Sequence, residues 1–71
     1  MLGNIAEIEV LMANKKLNVT MMAHRAGVAV PTMSYFLTAI RAGREVRPRT
    51  LQRVAKALGC NTFLIQKLKA D

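Results

Sequence analysis

The amino-acid sequence predicts an all-α fold of five short helices. Three observations carry that prediction. Apolar residues recur at three- and four-residue spacing in successive segments. Gly27, Gly43 and Gly59 punctuate those segments at helix-length intervals, and cap-forming residues stand ahead of most of them. Strand-type alternation is missing, as are repeats, low-complexity tracts and linkers, so residues 1–71 read as one domain.

The first helix is expected from Ile5 to Asn14. Asn4 is its N-cap candidate, and Glu7 and Glu9 lie near the positive end of the helix dipole. Ile5, Ile8, Leu11 and Met12 form its inward face, and Lys15 and Lys16 follow at the end where cations are favoured. The second helix starts after Asn18 and stops at Gly27, with Met22, Ala23 and Ala26 inward. Gly27 suits a C′ position of positive φ, where a side chain would clash. The third helix restarts near Val30. Pro31 fits its first turn, where a missing N–H costs nothing. Met33, Phe36, Leu37 and Ile40 carry its apolar spacing, and Gly43 marks its end. Thr50 is the expected cap of a fourth helix, Leu51 to Leu58, with Leu51, Val54, Ala55 and Leu58 inward. Gly59 stops it. Asn61 or Thr62 opens the fifth, whose apolar residues are Phe63, Leu64, Ile65 and Leu68.

Composition narrows the function. A single core of this size supplies only about 3–5 kcal/mol of net stability. The chain is 52% hydrophobic but only 4% aromatic, so the core must be aliphatic. Cys60 is the only cysteine, which excludes an intrachain disulfide and a multi-cysteine zinc site and fits a reducing cytoplasm. It reads as a small core residue, with a redox thiol as the alternative. No apolar run approaches the roughly 18 residues of a membrane span, and the N-terminus lacks a secretory pattern. No Ser/His/Asp set, paired-carboxylate motif or phosphate-binding glycine loop is present, so neither catalysis nor a cofactor is expected. His24, the only histidine, has no partner at metal-ligand spacing and reads as a polar surface residue, with a phosphate contact as the alternative.

Charge is the strongest bulk signal. Eleven Lys and Arg oppose four Asp and Glu, for a net +7. Arg41, Arg44, Arg47, Arg49, Arg53 and Lys56 crowd one segment that holds only Glu45 as a counter-charge. Such an imbalance favours a polyanionic partner over a merely solvated basic face. A peripheral membrane surface is the weaker polyanion, because no strongly basic amphipathic helix stands out.

Two helices joined by a short glycine turn cross steeply, which is the helix-turn-helix arrangement whose second helix fits the major groove of DNA. Ala23, four residues before Gly27, allows close approach of the two helices. Val28 plugs the turn, and Met33 and Phe36 pin the second helix to the core.

At these residues the chain resembles a known family. "LNVTMMAHRAGVAVPTMSYF" is similar to the helix-turn-helix of the Cro and cI-type phage repressors, and "RPRTLQRVAKALGCNTFLI" is similar to their following loop and fourth helix. The two stretches run in the family's order and cover Leu17 to Ile65. The resemblance implies a compact five-helix, lambda-repressor-like domain. It implies a transcriptional regulator that binds a palindromic double-stranded DNA operator as a homodimer, in the cytoplasm at the bacterial nucleoid. A Cro-like protein would be complete at this length, whereas a cI-type repressor would be represented by a fragment. An antitoxin-type module that also represses its own operon is the alternative, although no toxin-wrapping extension is visible.

Three departures from the family pattern stand out. Val19 occupies the position where the family often has a phosphate-contacting glutamine, which shifts that role to Asn18 or Thr20. Ala29 replaces the usual Ser or Thr after "GV", leaving Thr32 as the local substitute. The stretch from Phe36 to Arg47 is longer than in the shortest members, through either a longer third helix or a larger loop.

By position, the resemblance assigns base contacts to Val30, Pro31, Thr32, Ser34, Tyr35 and Thr38. None is Arg, Asn or Gln, the side chains that make bidentate contacts to guanine or adenine. Readout would use thymine methyls against Val30 and Pro31, hydroxyl contacts from Thr32, Ser34 and Tyr35, and DNA shape. Phosphate contacts fall to Asn18, Thr20, Arg41, Arg44, Arg47 and Arg49, with Lys15, Lys16 and Arg25 as second-tier candidates. Arg41 and Arg44 are alternatively groove contacts. Arg53, Lys56, Lys67 and Lys69 are expected to be solvated or packed along their stems. Phe63, Leu64 and Leu68 are the dimer-face candidates, the alternative being that they complete the monomer core.

Overall fold

The computed structural model describes residues 1–67. The elements in chain order are β1 (Leu2–Gly3), α1 (Ile5–Asn14), α2 (Val19–Ala26), α3 (Val30–Arg41), α4 (Pro48–Leu58), α5 (Thr62–Ile65) and β2 (Gln66–Lys67). The fold is mostly helical, as the sequence predicts.

Local chemistry explains most boundaries. The side-chain oxygens of Asn4, Asn18 and Asn61 accept from the backbone N–H of Glu7 (3.2 Å), Met21 (2.8 Å) and Phe63 (3.0 Å). Each satisfies one of the donors that a helix start leaves unpaired. The fourth helix differs from expectation. It begins at Pro48, with extended Arg47 as its cap, and Thr50 lies inside the first turn. The proline decides this. It disfavours helical backbone at the preceding residue and presets its own φ for the helix, so the boundary falls between Arg47 and Pro48. Thr32 provides no substitute cap for α3 either: Ala29 is its extended N-cap, without a side-chain hydrogen bond.

The core is aliphatic. Ile8, Met22, Met33, Leu51, Val54, Leu58 and Ile65 are fully buried, and no polar side chain is buried with them among the described residues. α2 sits between α3 and α4 and packs most extensively against both. Two unbranched methionines, Met22 on α2 and Met33 on α3, fit the irregular space where the helices cross. Ile5, Leu11, Met12, Val28 and Phe36 close the rim.

The N-terminal residues add a feature that the helical pattern does not announce. β1 and β2 pair antiparallel, Leu2 opposite Lys67 and Gly3 opposite Gln66. Met1 and Val46 exchange two backbone hydrogen bonds, at 3.1 and 2.8 Å, and Asn4 N–H donates to Ile65 C=O at 2.8 Å. Residues 1–4 therefore tie the α3–α4 loop to the far end of the described chain. Gly3 is buried against Ile40, and a Cβ there would stand 2.8 Å from Ile40 Cγ2.

Gly3→Ala should therefore lower unfolding stability by about 2–3 kcal/mol, because Cγ2 of a β-branched side chain cannot swing clear. Gly27→Ala should cost only about 1 kcal/mol, since its φ of 71° is strained for alanine but nothing lies within 4 Å. Urea unfolding of both variants checks the order.

Candidate nucleic-acid interface

The α2–turn–α3 unit is built around Gly27. Its left-handed backbone (φ 71°, ψ 34°) ends α2, and its N–H donates to His24 C=O at 3.2 Å. Val28 N–H reaches back to Ala23 C=O at 3.0 Å. This double closure satisfies the terminal carbonyls of α2 and turns the chain abruptly. Ala23 is fully buried and Val28 half-buried against the core. After extended Ala29, α3 starts at Val30 with Pro31 in its first turn.

α3 divides into two faces. Met33, Leu37, Ala39 and Ile40 are buried and Phe36 partly so. Val30, Pro31, Ser34, Tyr35 and Thr38 are exposed, and Tyr35 and Val30 retain 64% and 41% of their accessible surface. These exposures leave five of the base-contact candidates available to a partner. Thr32 is half-buried at the edge of the face. The helix runs on to Arg41, and the loop 42–47 follows.

Arg44, Arg47 and Arg49 are exposed. Tyr35, Arg44, Glu45 and Arg47 line one cleft of about 220 Å³ between α3 and the loop. The loop arginines thus stand beside the exposed face of α3, held there by the Met1–Val46 pairing. Arg41 is placed differently. Its guanidinium pairs with Glu9 of α1 at 3.0 Å, with both side chains more than half exposed.

Thr20 is exposed at the start of α2, while the Asn18 side-chain oxygen is engaged by Met21 N–H. Val19 is half-buried against the core, which accounts for an apolar residue at that position. Lys15 has a structural partner, its ammonium donating to Leu58 C=O at the C-terminal end of α4, where positive charge is favoured. Phe63 is 81% and Leu64 50% exposed, whereas Ile65 is fully buried. Phe63 and Leu64 therefore do not complete the monomer core. Leu68 and Lys69 lie outside the described residues.

A third group joins Arg49, a phosphate candidate, to Arg53 and Lys56, expected from the sequence to be solvated or packed along their stems, and to Gln52. Arg49, Gln52, Arg53 and Lys56 line a cleft of about 280 Å³ with Ala26, the last residue of α2. The i, i+3, i+4, i+7 spacing of the α4 residues was the available signal, but the cleft exists only once α2 is packed against α4.

An exposed recognition-type helix, held by a tight glycine turn and flanked by arginines, defines the helix-turn-helix class of DNA-binding domain. The chain belongs to the Cro/C1-type HTH DNA-binding domain family, whose model matches residues 7–62. No curated protein and no solved structure matches the chain. Membership supports a DNA-binding regulator, with double-stranded DNA as partner, in a family that is typically non-enzymatic. Among the described residues no helix is long and apolar enough to cross a membrane.

Two predictions follow from the electrostatics. The Arg41–Glu9 pair is exposed, so Glu9→Gln should change stability by less than about 0.5 kcal/mol in thermal unfolding at low and high salt. Cys60 is half-buried on the core, and burial raises its thiol above the ordinary value of 9.0, partly opposed by nearby Lys15. The folded state favours the protonated thiol. Its contribution is fully present below the unfolded value and is lost as pH rises through the folded one. Unfolding midpoints should therefore fall more steeply above pH 9 in the native chain than in Cys60→Ser.

Proposed function

We propose that this protein is a sequence-specific transcriptional regulator, a phage or prophage repressor of the Cro type. Residues 1–71 act as one domain that binds a palindromic operator as a homodimer in the cytoplasm and blocks polymerase by occupancy. The observation that carries this reading is the exposed, charge-free N-terminal face of α3 beside the arginine-bearing loop.

α3 enters the major groove, where Val30 and Pro31 meet thymine methyls. Ser34, Tyr35, Thr38 and the edge residue Thr32 supply hydroxyls to bases, waters or phosphates. With no bidentate side chain on this face, a large share of discrimination falls to DNA shape. Affinity comes from phosphates held by Thr20, Arg44, Arg47 and Arg49 and by the backbone N–H groups at the start of α2. The Asn18 side chain supports that start by capping it. Arg41 contributes by leaving Glu9, an exchange that costs little between exposed groups.

One recognition helix reads only a few base pairs, and two-fold pairing doubles the site. The exposed Phe63 and Leu64 support a dimer face after α4, because adjacent large apolar side chains left in water mark an interaction surface.

Selection from a random duplex library at two salt concentrations tests the proposal. A palindromic consensus with half-sites about one turn apart is expected, with log K falling against log salt at a slope near −5 for about six phosphates. Binding without a consensus, abolished by salt, would refute operator recognition and leave a protein partner as the main target. Tyr35→Ala and Ser34→Ala should shift the selected bases, whereas Arg47→Ala should weaken all duplexes alike. Phe63→Glu should give a monomer by sedimentation, with operator affinity reduced at least tenfold.

A further inference from the structure

We infer that α4 carries a second DNA-backbone surface, made by Arg49, Arg53 and Lys56 with Gln52, which engages phosphates of the same duplex beyond the base pairs under α3. The inference rests on the DNA-binding reading above and extends its footprint.

The four residues line one cleft, and its fifth lining residue is Ala26 of α2. Ala26 immediately precedes Gly27, so the cleft adjoins the turn that leads into α3. Arg49 lies in the first turn of α4, directly after the loop bearing Arg44 and Arg47. Arg49 thus links the loop cations, by chain order, to the cations of the α4 track.

No carboxylate of the described residues lines this cleft. Of the described acidic residues, Glu7 and Glu9 are on α1, and Glu45 lines the cleft on the other side of the loop. Three cations at i, i+4 and i+7 on one helix repel each other. Arg49 also sits near the positive end of the helix dipole, where a cation is unfavourable and no acidic residue offsets it. Local rules broken together on one surface, with no carboxylate of the described residues lining it, fit a site completed by an external anion. Arg53 is only half exposed, so its stem is already ordered and less freedom is lost on binding. The occupant that matches a linear track of cations on a DNA-binding domain is the regularly spaced phosphate backbone.

The test compares the full chain with the double variant Arg53→Gln, Lys56→Gln. Binding is measured on a selected duplex and a scrambled one, each with flanks of about ten base pairs, or one turn, over a range of salt. Loss of two phosphate contacts should make the log K–log salt slope shallower by about 1.8 and weaken binding about eightfold per contact at 0.1 M salt. The ratio between selected and scrambled duplex should stay unchanged. Trimming the flanks should weaken the native chain and leave the double variant nearly unaffected. Lys67→Gln removes a cation from β2, off the track, and should leave the slope within about half a unit of native.

A native slope in the double variant overturns the inference and leaves the operator reading intact, pointing to an acidic protein as the occupant. An equal loss in Lys67→Gln also overturns it, because the effect would then be one of net charge. Failure of the native chain to bind either duplex would sink both readings. Native-like thermal unfolding of the double variant excludes misfolding as the cause of a changed slope.

Discussion

The left-handed backbone at Gly27 sets how α2 hands the chain to α3. It lets α2 close its last carbonyls through Gly27 and Val28 and still hand the chain to α3 after only Val28 and Ala29. A longer connection would loosen the relation between the two helices. Because α2 is clamped between α3 and α4, its orientation governs both neighbours. The buried surfaces of Ala23 and Met33 then hold α3 so that one face is committed to the core and the other left to a partner.

Charge and burial are separated with little compromise. The interior holds aliphatic side chains, and the described basic residues lie at or near the surface. Such a domain avoids the desolvation cost of buried ions. It concentrates repulsion on the outside instead, in the loop 42–47 and along α4, where an anion would relieve it. The exposed face of α3 carries apolar and hydroxyl groups and no cation before Arg41. In the proposed function, affinity and readout therefore fall to different residues, which would allow one to vary without the other.

The N-terminal residues connect stability to this surface. Met1 pairs with Val46 in the basic loop, Gly3 packs on Ile40 of α3, and Asn4 both caps α1 and bonds to Ile65. A loop carrying several like charges would otherwise spread. Its position is maintained by backbone hydrogen bonds, which are insensitive to salt compared with exposed ion pairs.

The five helices, most of their ends, the aliphatic core and the α2–α3 turn are legible in the amino-acid order. The reason is locality: apolar spacing, asparagine caps and glycine stops act within a few residues, so they are legible without the fold. The start of α4 was also written locally, in Pro48, although Thr50 drew attention as the more familiar cap. The exposure of Ser34, Tyr35 and Thr38 was legible because helical periodicity separates them from Met33 and Leu37, while their candidacy as base contacts came from the family resemblance.

Features that join residues far apart in the chain emerge with the packed fold. Two-residue strands are too short to show alternation, so the pairing of Leu2 with Lys67 leaves no periodic trace. The partnering of Arg41 with Glu9 and of Lys15 with Leu58 depends on which helices become neighbours. The exposure of Phe63 and Leu64 beside buried Ile65 depends on how a one-turn helix is laid against α1 and α4. Nor could spacing along α4 reveal that Arg49, Arg53 and Lys56 share a cleft with Ala26, because that surface is created by the packing of α2 on α4.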